Sequence, residues 1–410
     1  MRWSELPGAA KKYILYHTLW SPVGFSWILF PYLLYLEGFS PLDLGILYTA
    51  TAVAGIPLRI LLGKAFTTRD IRVGLAAVDA IQGASLGLMY LAQGPQAPLV
   101  AAASLLVASA ADPLLPLYPA YERAVYPEDR MEEALVWHMA LPEASGIASY
   151  LALGLLFAGV RDPAVIRLAF LAAAGYEALL IVYDLRVLEP VVLAEQARGG
   201  GAPSLRALLD ALRGRLALFL AVYLLYLAAW RLAPLFVFEN YVIKTYGKGI
   251  LGIALVQAAM STASLASMAV INRLPRGLGL KALAAASLGV SASLLGFYLA
   301  PPFPVLVALS FAARGFDATW FLYGRTWFFS LISREEAAAV SAGVSAARET
   351  LFLAMPLIAG TLAEQGARTP YLAASILAAA TVPLIYAAQR ASRGRAQGAP
   401  ETGNPPGGEV

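Results

Sequence analysis

Residues 165–187 read VIRLAFLAAAGYEALLIVYDLRV, residues 189–215 read EPVVLAEQARGGGAPSLRALLDALRGR, and residues 216–239 read LALFLAVYLLYLAAWRLAPLFVFE. The first and third stretches are apolar for more than the roughly 20 residues that a helix needs to cross about 30 Å of hydrocarbon. They are too long for buried strands and too uninterrupted for amphipathic surface helices. The stretch between them holds Gly199-Gly200-Gly201, Pro203 and several arginines. It reads as a polar linker, with a short interfacial helix expected around Leu205–Leu212.

Working outward, apolar runs recur on both sides of that linker. Six spans are expected before it, at about 13–36, 42–63, 73–93, 97–121, 132–157 and 165–187. Six follow it, at about 215–239, 249–271, 279–299, 304–329, 337–362 and 370–389. The chain of 410 residues is 59% hydrophobic and 14% charged. A soluble domain carries about 25% charged residues, so an ordinary soluble enzyme of this length is excluded. The expected architecture is an all-α polytopic membrane protein of twelve transmembrane helices in two six-helix bundles. Its parts are 1–188, a cytoplasmic linker 189–214, a second bundle 215–390, and a tail 391–410 whose Gly- and Pro-rich composition predicts disorder.

Charge placement orients the chain. With a cytoplasmic N-terminus, 20 of the 30 Lys and Arg fall on inside segments, five on outside segments (Arg161, Arg167, Lys244, Lys248, Arg368) and five within spans. The positive-inside rule then places both termini in the cytoplasm and requires an even number of spans. The basic residues lie between apolar runs rather than in one patch, which argues against nucleic acid despite a net charge of +4. The absence of cysteine excludes disulfides and thiolate metal sites, and two histidines make a His cage improbable. No metal or cofactor is expected.

The halves repeat at an offset of about 203–207 residues, a plan known among transporters. Trp27-x-x-x-Pro31 answers Trp230-x-x-x-Pro234, Leu44-Gly45-Ile46 answers Leu251-Gly252-Ile253, and Asp112 answers Asp317. Glu132-Glu133-Ala134 answers Glu335-Glu336-Ala337, and Glu143 answers Glu349.

With these features the chain resembles the major facilitator superfamily over roughly residues 10–390. The family's loop motif between spans 2 and 3 is kept in part: Gly63 and the basic ending Arg69-Asp70-Ile71-Arg72 are present, with Thr67 in the place of an Asp. The loop between spans 8 and 9 has Asn272-Arg273-Leu-Pro-Arg276. The family's arginine in the middle of span 4 is absent, with Asp112 nearby. The resemblance implies alternating access by two rocking halves around a site near the midplane.

Charges inside spans are expensive and face a bundle interior or a wet cavity. Eleven are expected at depth: Asp79, Asp112, Glu143, Glu177, Asp317, Glu349 and Arg59, Arg231, Arg314, Arg325, Arg348. Acids dominate the first half and arginines the second. Unpaired buried acids carry protons near neutral pH, so Glu143, Asp112 and Glu177 are the proton-coupling candidates. Arginine holds anionic groups through a planar fork. The substrate candidates are therefore Arg348, Arg231 and Arg314, with Asp317, Glu349, Gln257, Ser345, Trp230 and Tyr226. Arg59 and Asp79 are expected to pair structurally. Asp70, Arg72, Asn272, Arg273, Arg276 and Arg325 are gating or structural candidates. His17 and His138 read as satisfied core residues. Pro113, Pro116 and Pro119 predict a bent or broken span 4.

Function reads as secondary active transport of a small organic solute, an organic anion or polar metabolite, coupled to protons across the plasma membrane by a monomer. Sodium is the other coupling ion that the sequence allows. A drug/proton antiporter exporting lipophilic cations is the alternative reading, which the N-half acids also fit. No nucleotide-binding Gly-rich loop is present, so ATP drive is not encoded. A membrane-embedded enzyme would need closely spaced acids or a nucleophile with a base, and neither is found. A non-transporting receptor on the same fold is the third class.

Overall fold

The computed structural model describes residues 3–65, 70–192, 216–271, 279–332 and 337–398. Asn272, Arg273, Arg276 and the expected interfacial helix around Leu205–Leu212 lie outside them. Among the described residues, eleven helices are long and apolar enough to cross a membrane, and a bent pair, taken as one span, makes a twelfth. The protein is a multi-pass membrane protein. The spans are numbered 1 to 12 in chain order.

Span 1 runs Gly8–Trp20, passes a 3₁₀ turn at Ser21–Phe25 and continues as Ser26–Leu36. Span 2 (Pro41–Ala65) starts on a reciprocal cap. The Ser40 N–H donates to Asp43 Oδ2 at 2.8 Å and the Asp43 N–H to Ser40 Oγ at 3.2 Å, with Pro41 supplying the first helical φ. Span 3 is Ile71–Met89. Span 4 is broken as its prolines predict: Ala97–Ser109, a 3₁₀ turn at Asp112–Leu114, then Leu117–Val125. Spans 5 and 6 are Met131–Leu156 and Pro163–Arg186.

Span 7 departs from expectation. Ala217–Arg231 is followed by Leu235–Tyr246 at a bend of 44°. Pro234 removes a donor and opens a new helix, which Gly247 ends with φ +61°. The span therefore reaches seven residues beyond its expected end at 239, and Glu239 lies inside it. Spans 8 to 11 are Ile250–Ile271, Gly279–Leu299, Phe303–Leu331 and Ala337–Gln365. Span 12, Thr369–Gly398, carries helix through the first eight residues of the expected disordered tail. Ala, Gln and Arg are strong helix formers, and extending a formed helix has no nucleation cost.

Within each half, the closest packing joins spans 3 and 6, 3 and 4, and 1 and 5, and then 9 and 10, 9 and 12, and 8 and 10. Reciprocal serine pairs lock some of these contacts. The Ser85 and Ser104 hydroxyls each donate to the other's carbonyl at 2.9 Å, as do those of Ser291 and Ser375. Such small polar residues join helices where lipid offers no hydrophobic drive.

The halves meet through span 2 on span 11 and span 5 on span 8. These two contacts correspond under the sequence repeat. A Cβ on Gly45 would lie 2.6 Å from Pro356 O and 3.2 Å from Gly360 Cα. A Cβ on Gly154 would lie 2.6 Å from Ala254 Cβ. Gly154 and Gly360 stand at the same offset as Glu143 and Glu349, so both contacts are built from the Leu-Gly-Ile repeat of one half against a glycine of the other. They lie at the end of the molecule carrying the 37–40, 157–162, 246–249 and 366–368 turns, called the far end below. There the Tyr35 hydroxyl also donates to Phe236 O at 2.5 Å, the Leu357 N–H donates to Thr49 Oγ1 at 3.1 Å, and Tyr48 stacks on Phe236.

The opposite, near end is tied within the first half. The Ile71 N–H donates to Val191 O at 2.9 Å, Lys12 pairs with Glu189, and Arg130 reaches Glu5 at 3.1 Å. Asp70 caps span 3 and pairs with Arg72 at 2.8 Å, while Arg72 donates to Leu188 O. Its hydrogen bonds from the Arg72 side chain hold the Asp70 carboxyl below the usual carboxylate range.

Candidate functional site

A cavity of about 510 Å³ lies between the halves, lined by Glu143, His138 and Pro142 of span 5, Ser264 of span 8, and Arg314, Asp317 and Phe321 of span 10. The Pro142 carbonyl accepts from the Ser21 hydroxyl at 2.8 Å, which ties span 5 to the turn in span 1. The next residue, Glu143, is placed on the cavity wall and has no ion-pair partner among the described residues. Arg314 and Asp317 share a face at i, i+3, and Arg314 Nη1 donates to Asp317 Oδ2 at 2.6 Å. Asp317 is buried, and its second oxygen accepts from the Tyr226 hydroxyl at 3.0 Å. Tyr226 lies flat on Trp320, ring centroids 3.7 Å apart, and Trp320 is held by its indole N–H on Ser287 at 3.0 Å.

The result is a fixed guanidinium. Arg314 Nε donates to Ser264 at 3.1 Å, and the side chain keeps 43% of its surface exposed against 4% for Asp317. Arginine has five donors, and those not engaged by Ser264 and Asp317 remain for a ligand. A base and an acid thus stand on one cavity wall each, contributed by different halves.

The other expected substrate residues do not converge on this cavity. Arg231 lies 3.8 Å and Arg348 5.9 Å from the Phe352 ring centroid, and Arg348 pairs with its neighbour Glu349 at 2.8 Å. Trp230 and Gln257 line a separate apolar cavity of about 190 Å³ with Tyr371. Ser345 and Arg325 line a third, of about 340 Å³, with Phe219 and Tyr223.

The expected Arg59–Asp79 pair is not formed. Arg59 pairs with Asp112 at 3.2 Å, because the break in span 4 turns that carboxylate toward span 2. Asp79 instead accepts from the Tyr16 hydroxyl at 2.8 Å and faces Asp184. Asp79, Asp184 and Glu177 are all fully buried between spans 3 and 6, with Asp184 set against Asp79 and the Trp20 side chain beside Glu177. Asp184, which the sequence reading passed over, falls one heptad after Glu177 and so shares its face. Among the described residues, no such group is arranged to hold a metal ion.

Of the two histidines expected to be satisfied, His138 is and His17 is not. His17 and His138 lie 4.6 Å apart, ring to ring, and His17 Nε2 is buried without a hydrogen-bond partner. His138 Nδ1 meets the Tyr126 hydroxyl at 2.6 Å. Tyr16 and Tyr118, whose hydroxyls are 3.3 Å apart, continue from His17 toward Asp79.

No family model and no curated protein sequence matches the chain. Solved structures do. A nucleoside transporter, NupG, is 16% identical with a TM-score of 0.66, covering 94% of this chain and 99% of its own. A bacterial homologue of the iron transporter ferroportin, in an inward-facing state, is 14% identical with a TM-score of 0.71, covering 93% and 98%. The human organic anion transporter MFSD10 is 15% identical with a TM-score of 0.58, covering 93% and 100%. The chain has the fold of these proteins along nearly its whole length, the fold that its resemblance to the major facilitator superfamily implies.

Proposed function

We propose that this protein is a secondary active transporter that moves a small organic solute bearing an anionic group across the plasma membrane by alternating access, coupled to protons. The two six-helix halves rock about the cavity, with both termini cytoplasmic. One observation carries the substrate class: the partly exposed Arg314 guanidinium, held by Asp317 and Ser264, shares the interhalf cavity with the unpartnered Glu143. Arg314 binds the anionic group. Glu143 takes the proton, or a donor group of the solute, from the opposite half, so that one ligand bridges both halves. The likeness to transporters of nucleosides and organic anions supports transport as the activity, since fold alone does not choose a substrate.

The test is a thermal-shift screen of the purified protein against anionic metabolites and lipophilic cations. A ligand at about 100 times its Kd stabilises by about 2.7 kcal/mol. Anionic metabolites are expected to raise the melting temperature. Stabilisation by lipophilic cations alone would replace this reading with drug/proton antiport.

A further inference from the structure

Glu239 sits in the middle of Leu235–Tyr246, the second part of span 7. It is fully buried, and neither carboxyl oxygen has a hydrogen-bond partner. Its helix packs on spans 1 and 2 of the other half and on spans 8 and 11 of its own, and its charge acts on Tyr32 and Tyr35 of span 1 and on Tyr48 of span 2. Arg161 acts on Tyr32 and Glu364 on Tyr35, but no neighbouring charge acts on Glu239 itself. The Tyr35 hydroxyl donates to Phe236 O and the Tyr32 hydroxyl to Val160 O, so neither is spent on the acid.

A far-end vestibule of about 850 Å³ is lined by Tyr32, Tyr35 and Asn240. It stops one residue short of Glu239. Tyr32 and Tyr35 are thus shared by the acid and the vestibule, and they belong to the half that moves away when the far end opens.

An ionised carboxylate without donor or cation is strongly disfavoured in such a place, whereas the neutral acid fits it. Parting of the halves would withdraw the tyrosines and bring the vestibule onto Glu239, where the ionised form is hydrated. We propose that Glu239 is a proton-binding site, occupied while the far ends of the halves are closed and emptied when they part. This rests on the alternating-access reading and adds to it a site outside the solute cavity. Its consequence is directional. Acid favours the closed far end, and rising pH favours the open one, because opening releases a proton.

The protein's lack of cysteine makes the test direct. Spin labels on Gln96→Cys and Gln365→Cys report the far-end distance between halves, with the full chain in lipid nanodiscs. The wild-type distance is expected to lengthen between about pH 5 and about pH 9, spanning the range over which a buried carboxyl titrates. Glu239→Gln, which mimics the protonated acid, is expected to keep the short distance throughout, and Glu239→Leu to do the same should the glutamine variant fold poorly. A pH response that survives in either variant overturns the proposal, as does a wild-type distance that ignores pH. If that pH-blind distance still lengthens or shortens when a solute binds, alternating access stands and only the role of Glu239 falls. If it answers to neither, alternating access falls with it.

Discussion

Arg314 shows what one side chain determines here. Its Nη1 and Nε are engaged by Asp317 and Ser264, which aims the rest of the fork. Arg314→Lys keeps the charge and loses the fork, so binding of an anionic solute is expected to weaken by about 10- to 100-fold, the value of one or two charge-assisted hydrogen bonds. Titration calorimetry of the purified variant gives the answer, and unchanged affinity would take Arg314 out of the site. Glu143→Gln is expected to abolish uptake driven by a pH gradient in proteoliposomes while sparing solute exchange, since only the proposed proton carrier is removed. Asp70 offers a control far from both. Its carboxyl is held below its usual range by Arg72, so its stabilisation is present above the unfolded-state value and is lost as pH falls through the lower folded one. Asp70→Asn should therefore lower the melting temperature slightly at pH 7, with the difference vanishing in strong acid. The i, i+3 spacing made the Arg314–Asp317 pair readable from sequence. The partner of Arg59 was not readable, because the choice between Asp79 and Asp112 depends on how the broken span 4 turns, which is a tertiary fact.

At the scale of elements, the spans were legible because hydrocarbon imposes length and composition together. Their ends were less so. Span 7 runs past its expected end at 239, because Pro234 restarts the helix and carries it to Tyr246. Glu239 is therefore a buried residue within the span rather than its last one. The repeat was legible as Leu44-Gly45-Ile46 and Leu251-Gly252-Ile253, but its use was not: the glycines opposite, Gly360 and Gly154, show that the motif marks where the halves touch. Gly360→Ala would set a Cβ 2.5 Å from Pro41 O. The obstacle is backbone and does not yield as a flexible side chain would. The substitution is expected to disfavour the closed far end by about 1–3 kcal/mol, the usual penalty of overpacking. Faster maleimide labelling of a cysteine placed at Thr49 would register it, and a rate equal to that of the otherwise unchanged labelled protein would show that the contact has no part in closure.

For the whole molecule, every contact described between the halves lies on the far-end side of the cavity, and the repeat places the two glycine contacts symmetrically about it. If the halves rock as proposed, each as a packed unit, a molecule closed in this way has to break both contacts together to present its cavity to the other side. A single covalent tie across one contact should then stop the cycle at both. The Leu357 N–H on Thr49 Oγ1 at 3.1 Å marks a place where the two backbones come within reach of a disulfide. In the cysteine-free chain, Thr49→Cys with Leu357→Cys introduces only that pair. Oxidation is expected to arrest solute flux in proteoliposomes and dithiothreitol to restore it, while each single variant transports whether oxidised or reduced. Solute binding measured in the oxidised double variant should persist, because the tie holds the cavity open toward the near end rather than filling it. Continued flux through the oxidised, fully cross-linked protein would mean that the halves do not part at the far end, and the rocking of one half against the other would have to be abandoned as its mode of action.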